Sequence, residues 1–513
     1  MKLGLIISML EKEHDASRLL PPAGTAAVDC MEVDVLDCTH DTRRVTENCL
    51  FACVPGSRFD GHDFADEAFQ KGAVALLCER ELPESDIPQI IVKDVRSVLG
   101  KVAASIHGNP SDSMMMIAVT GTNGKTTTAH MIRGILQEGG YKTGMIGTIF
   151  YDTGKGPREA DRTTPESTNI QRMLGAMLKN GCRACVMEAS SHGLAQGRLS
   201  GCRFDASVFT NLTEEHLDFH GNMERYFSAK SLLFSHYAKN EESLAVINAD
   251  DNYGARLGDN AAGKIVFYGI ESILHPGHGM YIHGSIRSMN LSGSSVQIRY
   301  PEGSTHNKFE LRFPLIGRYN VYNALASTAF SLASGIDPET VKKGLSSMET
   351  VPGRLERWQF EEGPSALVDY AHTPDALMNV LNAVRETCRG RVWLVFGLGG
   401  ERYEENRPVM GKIAAQFADE LIITMDNPRS EDPLKIAQAI RQGAIEGGCS
   451  TPRIVIDRKE AVWKALDNAD EKDVVLVTGK GPERHIIFGE RRIPYNDAEA
   501  IAEWGRTRGK VLC

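Results

Sequence analysis

Lys125 and the three threonines behind it stand directly after two glycines in "MMMIAVTGTNGKTTTAHMIRGIL", residues 114 to 136. Gly121 and Gly124 let backbone N–H groups approach phosphate oxygens. Lys125 has the reach for the β- and γ-phosphates of a nucleotide, and Thr126 offers a hydroxyl to Mg²⁺. Thr122, Asn123 and Thr127 complete the candidate phosphate-binding segment. The spacing departs from the common G-x-x-x-x-G-K-[ST] loop, whose first glycine falls on Val119 here. The plain alternative, a glycine turn with an incidental lysine, is weakened by the apolar strand before the motif and the helical pattern after it.

Three residues downstream have the chemistry to complete such a site. Glu188 ends the apolar run "ACVME", where a carboxylate can hold a metal beside a loop threonine, and His216 follows another strand in "TNLTEEHLDFHG". Lys230 lies on the helical stretch "ERYFSAKSLLFSHY", with Tyr226, Phe227, Leu233 and Phe234 at helical spacing around it. That places it on an apolar stripe, where lysine is ordinarily avoided. Either the side chain snorkels to solvent, or burial favours the neutral amine, which can take up CO₂ to become an anionic carbamate.

Alternating elements are needed to hold these groups. Residues 26 to 99 mix short β-branched runs ("VALLCER", "QIIVKDV") with helical stretches and read as a small α/β domain, closed by the turn-rich "IHGNPSDSMMM". Strands and helices then alternate to about residue 350, implying a parallel sheet covered on both faces, with residues 280 to 313 as an antiparallel extension. After "METVPGRLER" the pattern restarts with "ALVDY", "RVWLVFG", "ELIITM", "RIVIDR" and "DVVLVTG". In open α/β sheets ligands bind beyond the strand ends, so the loops "DYAHTPDA", "GLGGERYEENR", "DNPRSEDP" and "TGKGPER" are candidate contacts.

The 513 residues exceed what one core organises, and three domains are expected: 1–110, 111–350 and 351–513. With 42% hydrophobic and 24% charged residues the composition is that of a soluble globular protein. No stretch is long and apolar enough for a bilayer, the N-terminus lacks a secretory pattern, and eleven scattered cysteines suit a reducing cytoplasm. Cys182 and Cys185 have no partner pair at zinc spacing and read as apolar residues entering a strand. The net charge of −10 provides no footprint for nucleic acid.

The compact G-T-N-G-K-T loop resembles that of the Mur ligase family, and so do "SAKSLL", "IGRYNVYNALAS", "GRLER" and "DYAHTPDA". The resemblance covers nearly the whole chain. It implies an α/β fold of three domains: a central P-loop doubly wound parallel sheet, an N-terminal α/β uridine-binding domain and a C-terminal Rossmann-like domain. It implies a monomeric cytoplasmic ligase that uses ATP and Mg²⁺, with no nucleic-acid or membrane partner. Lys125, Glu188, His216 and Lys230 become the catalytic set, with the metal on Thr126, Glu188, His216 and Lys230 carboxylated to N6-carboxylysine. ATP contacts extend from the glycine loop to Asn320, Arg354, Asp369 and His372, so that ATP lies between two domains. "TTPES", "EASSHGLAQGRLSG" and "DTRRVTENCLFACVPGSRFDGHDF" are similar to segments that hold a UDP-MurNAc-peptide, here through Thr42, Ser57, Arg58, Thr163, Thr164, Ser190, Gln196 and Arg198.

Members of the family that add meso-diaminopimelate carry D-N-P-R in the loop that is Asp426, Asn427, Pro428 and Arg429 here. Arg402, Gly479 and Glu483 match the remaining contacts to that amino acid. A guanidinium can hold the second carboxylate, which lysine lacks. Two positions depart from the family pattern. Pro482 stands where histidine is usual, removing a donor and stiffening the loop, and Arg162 precedes the threonine pair. Competing readings are the same fold acting on lysine or a folate, a P-loop motor or switch, and a dinucleotide enzyme resting on "GLGGER", which fails G-x-G-x-x-G at Arg402.

Overall fold

The strand Cys49–Ala52 is buried at all four positions and Ala184–Glu188 at all five, as parallel strands covered on both faces require. The structure, a computed structural model, describes residues 1–12, 18–56, 59–271, 279–302, 305–348, 350–402 and 404–512. They form two compact units: one runs to Phe267 and includes Gly279, and the other takes 268–271 and all from Met280 onward.

The first unit opens with a five-stranded sheet in the order Arg18–Leu20, Gln89–Ile91, Ala73–Cys78, Cys49–Ala52, Asp37–Thr39. All pairs are parallel except the first. Alternation along Cys49–Ala52 sends Leu50 and Ala52 into a core with the helices Leu3–Lys12 and Val95–Ile106, and Phe51 into a second core with Ala65 and Ala68. Asn109, in the left-handed region at φ 49°, and the Pro110–Asp112 turn end this part.

The second sheet of this unit includes Leu244–Asn248, Ala206–Phe209, Met115–Thr120, Ala184–Glu188 and Thr143–Ile146 as successive parallel neighbours. Phe150–Asp152 and Pro157–Glu159 continue it antiparallel. Met115–Thr120 sits between strands that follow it in sequence on both sides, so its C-terminal end is the switch point where open sheets bind ligands. The candidate glycine loop starts there.

The second unit carries the antiparallel strands Met280–Asn290, Gly293–Glu302 and Thr305–Phe313, then the helices Arg318–Ala333 and Pro338–Ser346. Its six-stranded sheet has the order Glu356–Gln359, Ser365–Asp369, Val474–Thr478, Val392–Phe396, Glu420–Ile423, Arg453–Ile454. Only the first pair is antiparallel. One face packs Leu367, Leu394 and Leu476 and the other Val368, Val395 and Val477, giving two cores separated by the sheet. The expected doubly wound sheets, central and C-terminal, are both present.

Candidate active site

The glycine loop is built by backbone that favours glycine at two points. Gly121 has φ +149° and a Cβ there would lie 1.9 Å from Thr210 Oγ1; Gly124 has φ +84° and caps the helix Lys125–Glu138. No side chain caps that helix, so its first N–H groups face the loop. Asn123 is tied down on both sides, its N–H donating to Asn211 Oδ1 at 2.9 Å and its carbonyl accepting from Thr210 Oγ1 at 2.6 Å. Lys125 Nζ donates to the carbonyls of Gly121 and Thr122 at 3.0 and 2.7 Å. Thr122 Oγ1 meets Tyr226 Oη at 3.1 Å.

Glu188 is the hub of the site. It is fully buried, and its carboxylate accepts from Thr126 Oγ1 at 2.8 Å, Thr148 N at 2.8 Å and Thr148 Oγ1 at 3.0 Å. Room for it comes from Gly147, where a Cβ would stand 2.5 Å from Glu188 Oε1. Thr148 Oγ1 also meets Thr163 Oγ1 at 3.0 Å, while Thr164 Oγ1 donates to the Glu188 carbonyl at 2.8 Å and accepts from Ser190 N at 2.9 Å. Ser190 Oγ caps the helix Ser191–Ala195, and Arg198 donates to Thr164 O at 2.9 Å and Gln196 Oε1 at 2.6 Å. Thr163, reached through Thr148, and Thr164, Ser190, Gln196 and Arg198, reached through the Glu188 carbonyl, thus form one network around Glu188. Gly147 and Thr148 were not singled out in the sequence; their place just after the buried strand Thr143–Ile146 is the signal that points to them.

Lys230 does not snorkel. It is 2% exposed, its Nζ donates to the Gly121 carbonyl at 2.7 Å and lies 4.5 Å from the Tyr226 ring centre. Burial, and then the charge of Lys125, hold its pKa well below the ordinary lysine value. His216, in the left-handed region at φ 58°, packs its ring 4.7 Å from that of His192. Burial, with smaller pushes from His192, Lys125 and Lys230 against the pull of Glu215, lowers its pKa to about 4. Its imidazole is therefore neutral at pH 7 and able to ligate a metal.

A cavity of about 490 Å³ in the first unit is lined by Asp41, Arg43, Arg44, Arg158, Arg162 and Glu166 among others. Thr42 lies in the turn Thr42–Arg44 beside it, capped by Asp41, whose carboxylate accepts from Arg43 N. Arg162 and Arg198 both pair with Glu166, at 2.8 and 3.2 Å. Ser57 and Arg58 lie outside the described residues.

In the second unit, Asp369 is buried and accepts from Leu355 N and Ala371 N, each at 2.8 Å; burial raises its pKa against the pull of Arg354. Arg354 and His372 both approach Tyr370, the guanidinium 5.1 Å and the imidazole 4.7 Å from its ring centre. Asn320 is 2% exposed, with Nδ2 donating to Ile316 O and Oδ1 accepting from Asn323 Nδ2.

The D-N-P-R loop and the turn 479–483 come together at the C-terminal sheet edge. Gly479, at φ +109°, is required because a Cβ would lie 2.5 Å from Asp426 Oδ2. Gly400 packs so closely that a Cβ would meet the Pro428 carbonyl at 2.0 Å. Arg429 also has a left-handed backbone, φ 52°, and its guanidinium donates to the Gly400 carbonyl. Asn427 Nδ2 donates to Glu483 Oε2 at 2.8 Å. Arg402 is exposed, and its charge and that of Glu483 both act on Tyr370. Pro482 packs against Gly353, where a Cβ would meet its Cδ at 2.4 Å.

The oxygen-only pair of Thr126 and Glu188 fits Mg²⁺, which takes few protein ligands and keeps waters and substrate oxygens. Among the described residues no three His, Cys, Asp or Glu side chains group into a metal cage. Cys182 and Cys185 are simply buried, the latter within Ala184–Glu188.

Three family models match in chain order: "Mur ligase family, catalytic domain" over residues 37–107, "Mur ligase middle domain" over 119–331 and "Mur ligase, glutamate ligase domain" over 353–481. The chain is 41% identical over 465 residues to the UDP-N-acetylmuramoyl-L-alanyl-D-glutamate–2,6-diaminopimelate ligase of Halalkalibacterium halodurans, covering 90% of this chain and 93% of that one. The Geobacillus thermodenitrificans enzyme of the same name is 40% identical, with 90% and 93% covered. A solved structure of a ligase of that name superposes with a TM-score of 0.65 at 29% identity, covering 93% of this chain and 95% of the other. The fold is shared with the MurF ligase of Thermotoga maritima solved with ADP, at TM-score 0.59 and 22% identity, with 86% and 93% covered. The chain belongs to the Mur ligase family. It is a ligase with the three-domain fold of that family.

Proposed function

We propose that this ligase joins meso-diaminopimelate to UDP-MurNAc-L-Ala-D-Glu, consuming ATP and releasing ADP and phosphate, in the synthesis of a peptidoglycan precursor. The observation that carries the acceptor is that the loop bearing Asp426 and Arg429 meets the turn bearing Glu483 at one sheet edge, Asn427 Nδ2 donating to Glu483 Oε2 at 2.8 Å. The names of relatives about 40% identical over nine-tenths of the chain support the same reading.

The γ-phosphoryl group of ATP passes to the γ-carboxylate of the D-glutamyl residue, giving an acyl phosphate. The amine of diaminopimelate attacks the acyl carbon, phosphate leaves, an amide remains and the amine's proton is lost to solvent. The loop N–H groups and Lys125 bind and orient the phosphates, and positioning of this kind is the main catalytic contribution in phosphoryl transfer. Thr126, Glu188, His216 and carboxylated Lys230 are the residues for Mg²⁺, which when bound offsets negative charge on the phosphoryl oxygens. Carboxylation adds CO₂ to the neutral amine of Lys230 with loss of a proton. Asn320, Arg354, Asp369 and His372 are assigned to ATP, and the arginine-lined cavity beside Thr42, with Thr163, Thr164, Ser190, Gln196 and Arg198, to the UDP-sugar peptide. By role the chain divides into 1–110 for the UDP-sugar, 111–350 for ATP and 351–513 for the amino acid, acting as a cytoplasmic monomer. No helix among the described residues is long and apolar enough to cross a membrane.

Phosphate release with ATP and the UDP-MurNAc-dipeptide tests the reading. Release should require meso-diaminopimelate and be far slower with L-lysine or L-ornithine. Equal rates with lysine would overturn the acceptor, and release without any amino acid would favour a hydrolytic switch.

A further inference from the structure

A lysine with no exposed surface sits inside the turn that carries Glu483. Lys480 Nζ donates to Asn427 Oδ1 at 3.0 Å and to Glu483 Oε2 at 2.8 Å, and lies 3.8 Å from Asp426 Oδ1. Burial strips water from the ammonium, so its place is determined by these partners. The turn is closed a second time by Glu483 N donating to Lys480 O at 3.0 Å, with Gly481 at φ +49° and Pro482 between them. Pro482 thus fits this turn, whose hydrogen bond does not need an N–H at that position.

The same contacts fix Asn427. Its Oδ1 accepts from Lys480 and from Ile487 N at 2.9 Å, and its Nδ2 donates to Glu483. A second buried cation holds the roots of both loops: Arg458 pairs with Asp497 at 2.8 Å and donates to the carbonyls of Met425 and Thr478, the residues just before Asp426 and Gly479. What remains uncovered is anionic. Among the described residues Glu483 Oε1 accepts no hydrogen bond, and the 6% exposed Asp426 carboxylate lies 3.8 Å from the lysine ammonium and also feels the charge of Arg458. Asp426, Glu483 and Asp497 against Lys480 and Arg458 leave one negative charge, complementary to an ammonium of the incoming amino acid.

We propose that Lys480 is a positioning residue for amino-acid recognition: it holds Asn427 and Glu483 so that Glu483 Oε1 and the Asp426 carboxylate are presented together to a substrate ammonium. The inference rests on the amino-acid role proposed for this loop cluster, and concerns a residue to which that reading gave no part.

The test is steady-state kinetics of Lys480→Met and Lys480→Gln with each of the three substrates varied, together with Glu483→Gln and the Lys480→Met/Glu483→Gln double variant. Lys480→Met should raise KM for meso-diaminopimelate about tenfold or more, the scale of a lost charge-assisted hydrogen bond. KM for ATP and for the UDP-dipeptide should stay near wild type. Lys480→Gln, which keeps hydrogen bonds but not charge, should fall between, and it is the variant to read if Lys480→Met does not fold. The double variant should lose less than the product of the single losses. An unchanged amino-acid KM, an equal rise in all three KM values, or multiplicative losses in the double variant would each overturn the proposal. Should the wild-type enzyme use another amino acid instead, the acceptor assignment fails, and the same KM pattern measured with that amino acid still decides the part played by Lys480.

Discussion

Lys125 and Lys230 donate to the same carbonyl, that of Gly121, at 3.0 and 2.7 Å. Two ammonium groups converging on one oxygen repel each other, and the one with less water yields first. That is Lys230, whose pKa is lowered by burial and then by Lys125. The unfolded chain keeps the proton that the native state gives up, so Lys230 opposes folding most at low pH and less as pH rises toward 10.5. Lys230→Met should therefore unfold at a higher temperature than the unmodified protein and show no turnover. A lower melting temperature than that of the CO₂-free wild type would contradict this account.

Carboxylation needs the neutral amine, so activity should fall on the acid side as Lys230 gains its proton. Enzyme stripped of CO₂ should recover with added bicarbonate, and the recovery should be fuller at higher pH. Intact mass of active enzyme showing only unmodified lysine would remove the carbamate from the mechanism.

Gly147→Ala would place a methyl group 2.5 Å from Glu188 Oε1 and push the carboxylate off Thr126. Thr148→Ala removes a hydroxyl donor to the same group at 3.0 Å. Loss of such an outer contact costs about 10- to 100-fold in metal affinity or activity. Turnover measured across a Mg²⁺ titration should show Thr148→Ala recovering in part at high Mg²⁺, and Gly147→Ala hardly at all.

Arg429 carries the guanidinium assigned to the second carboxylate of diaminopimelate. Replacing it with methionine should narrow the preference for diaminopimelate over lysine by about 10- to 100-fold, the range of a hydrogen bond to a charged group. Competition between the two amino acids, read from the product ratio, measures this directly; an unchanged ratio would place the discrimination elsewhere.

Arg458 and Asp497 are both fully buried and paired at 2.8 Å. Asp497→Ala leaves the guanidinium without its counter-ion and should cost about 3–5 kcal/mol, read from urea unfolding. Because Arg458 also holds Met425 O and Thr478 O, the amino-acid KM should rise in the same variant even where it remains folded.

The parts of the site that sequence reveals are those whose signal is local. Gly121 to Thr126 form one contiguous motif, and the apolar stripe around Lys230, made of Tyr226, Phe227, Leu233 and Phe234, is buried as its spacing implies. The alternation of apolar runs likewise revealed the central and C-terminal sheets. Gly147 and Thr148 were hidden because their partner, Glu188, is distant in the chain and "IGTIF" reads as an ordinary turn. The inward set of the Asn427 amide was hidden for the same reason: it depends on Lys480, Glu483 and Ile487, none of them a sequence neighbour. For Lys230, spacing left a solvent-seeking side chain open; its 2% exposure rules that out.

The pinning of Asn427 bears on inhibitor design. A compound that directs a polar group at this amide competes with three internal hydrogen bonds and gains little affinity. A cationic group aimed at Asp426 meets a carboxylate that folding has already largely dehydrated, so most of the remaining dehydration is the compound's own. Selectivity in a series of such compounds is expected to track how well the cation reaches Asp426, and to be insensitive to polarity added on the Asn427 side.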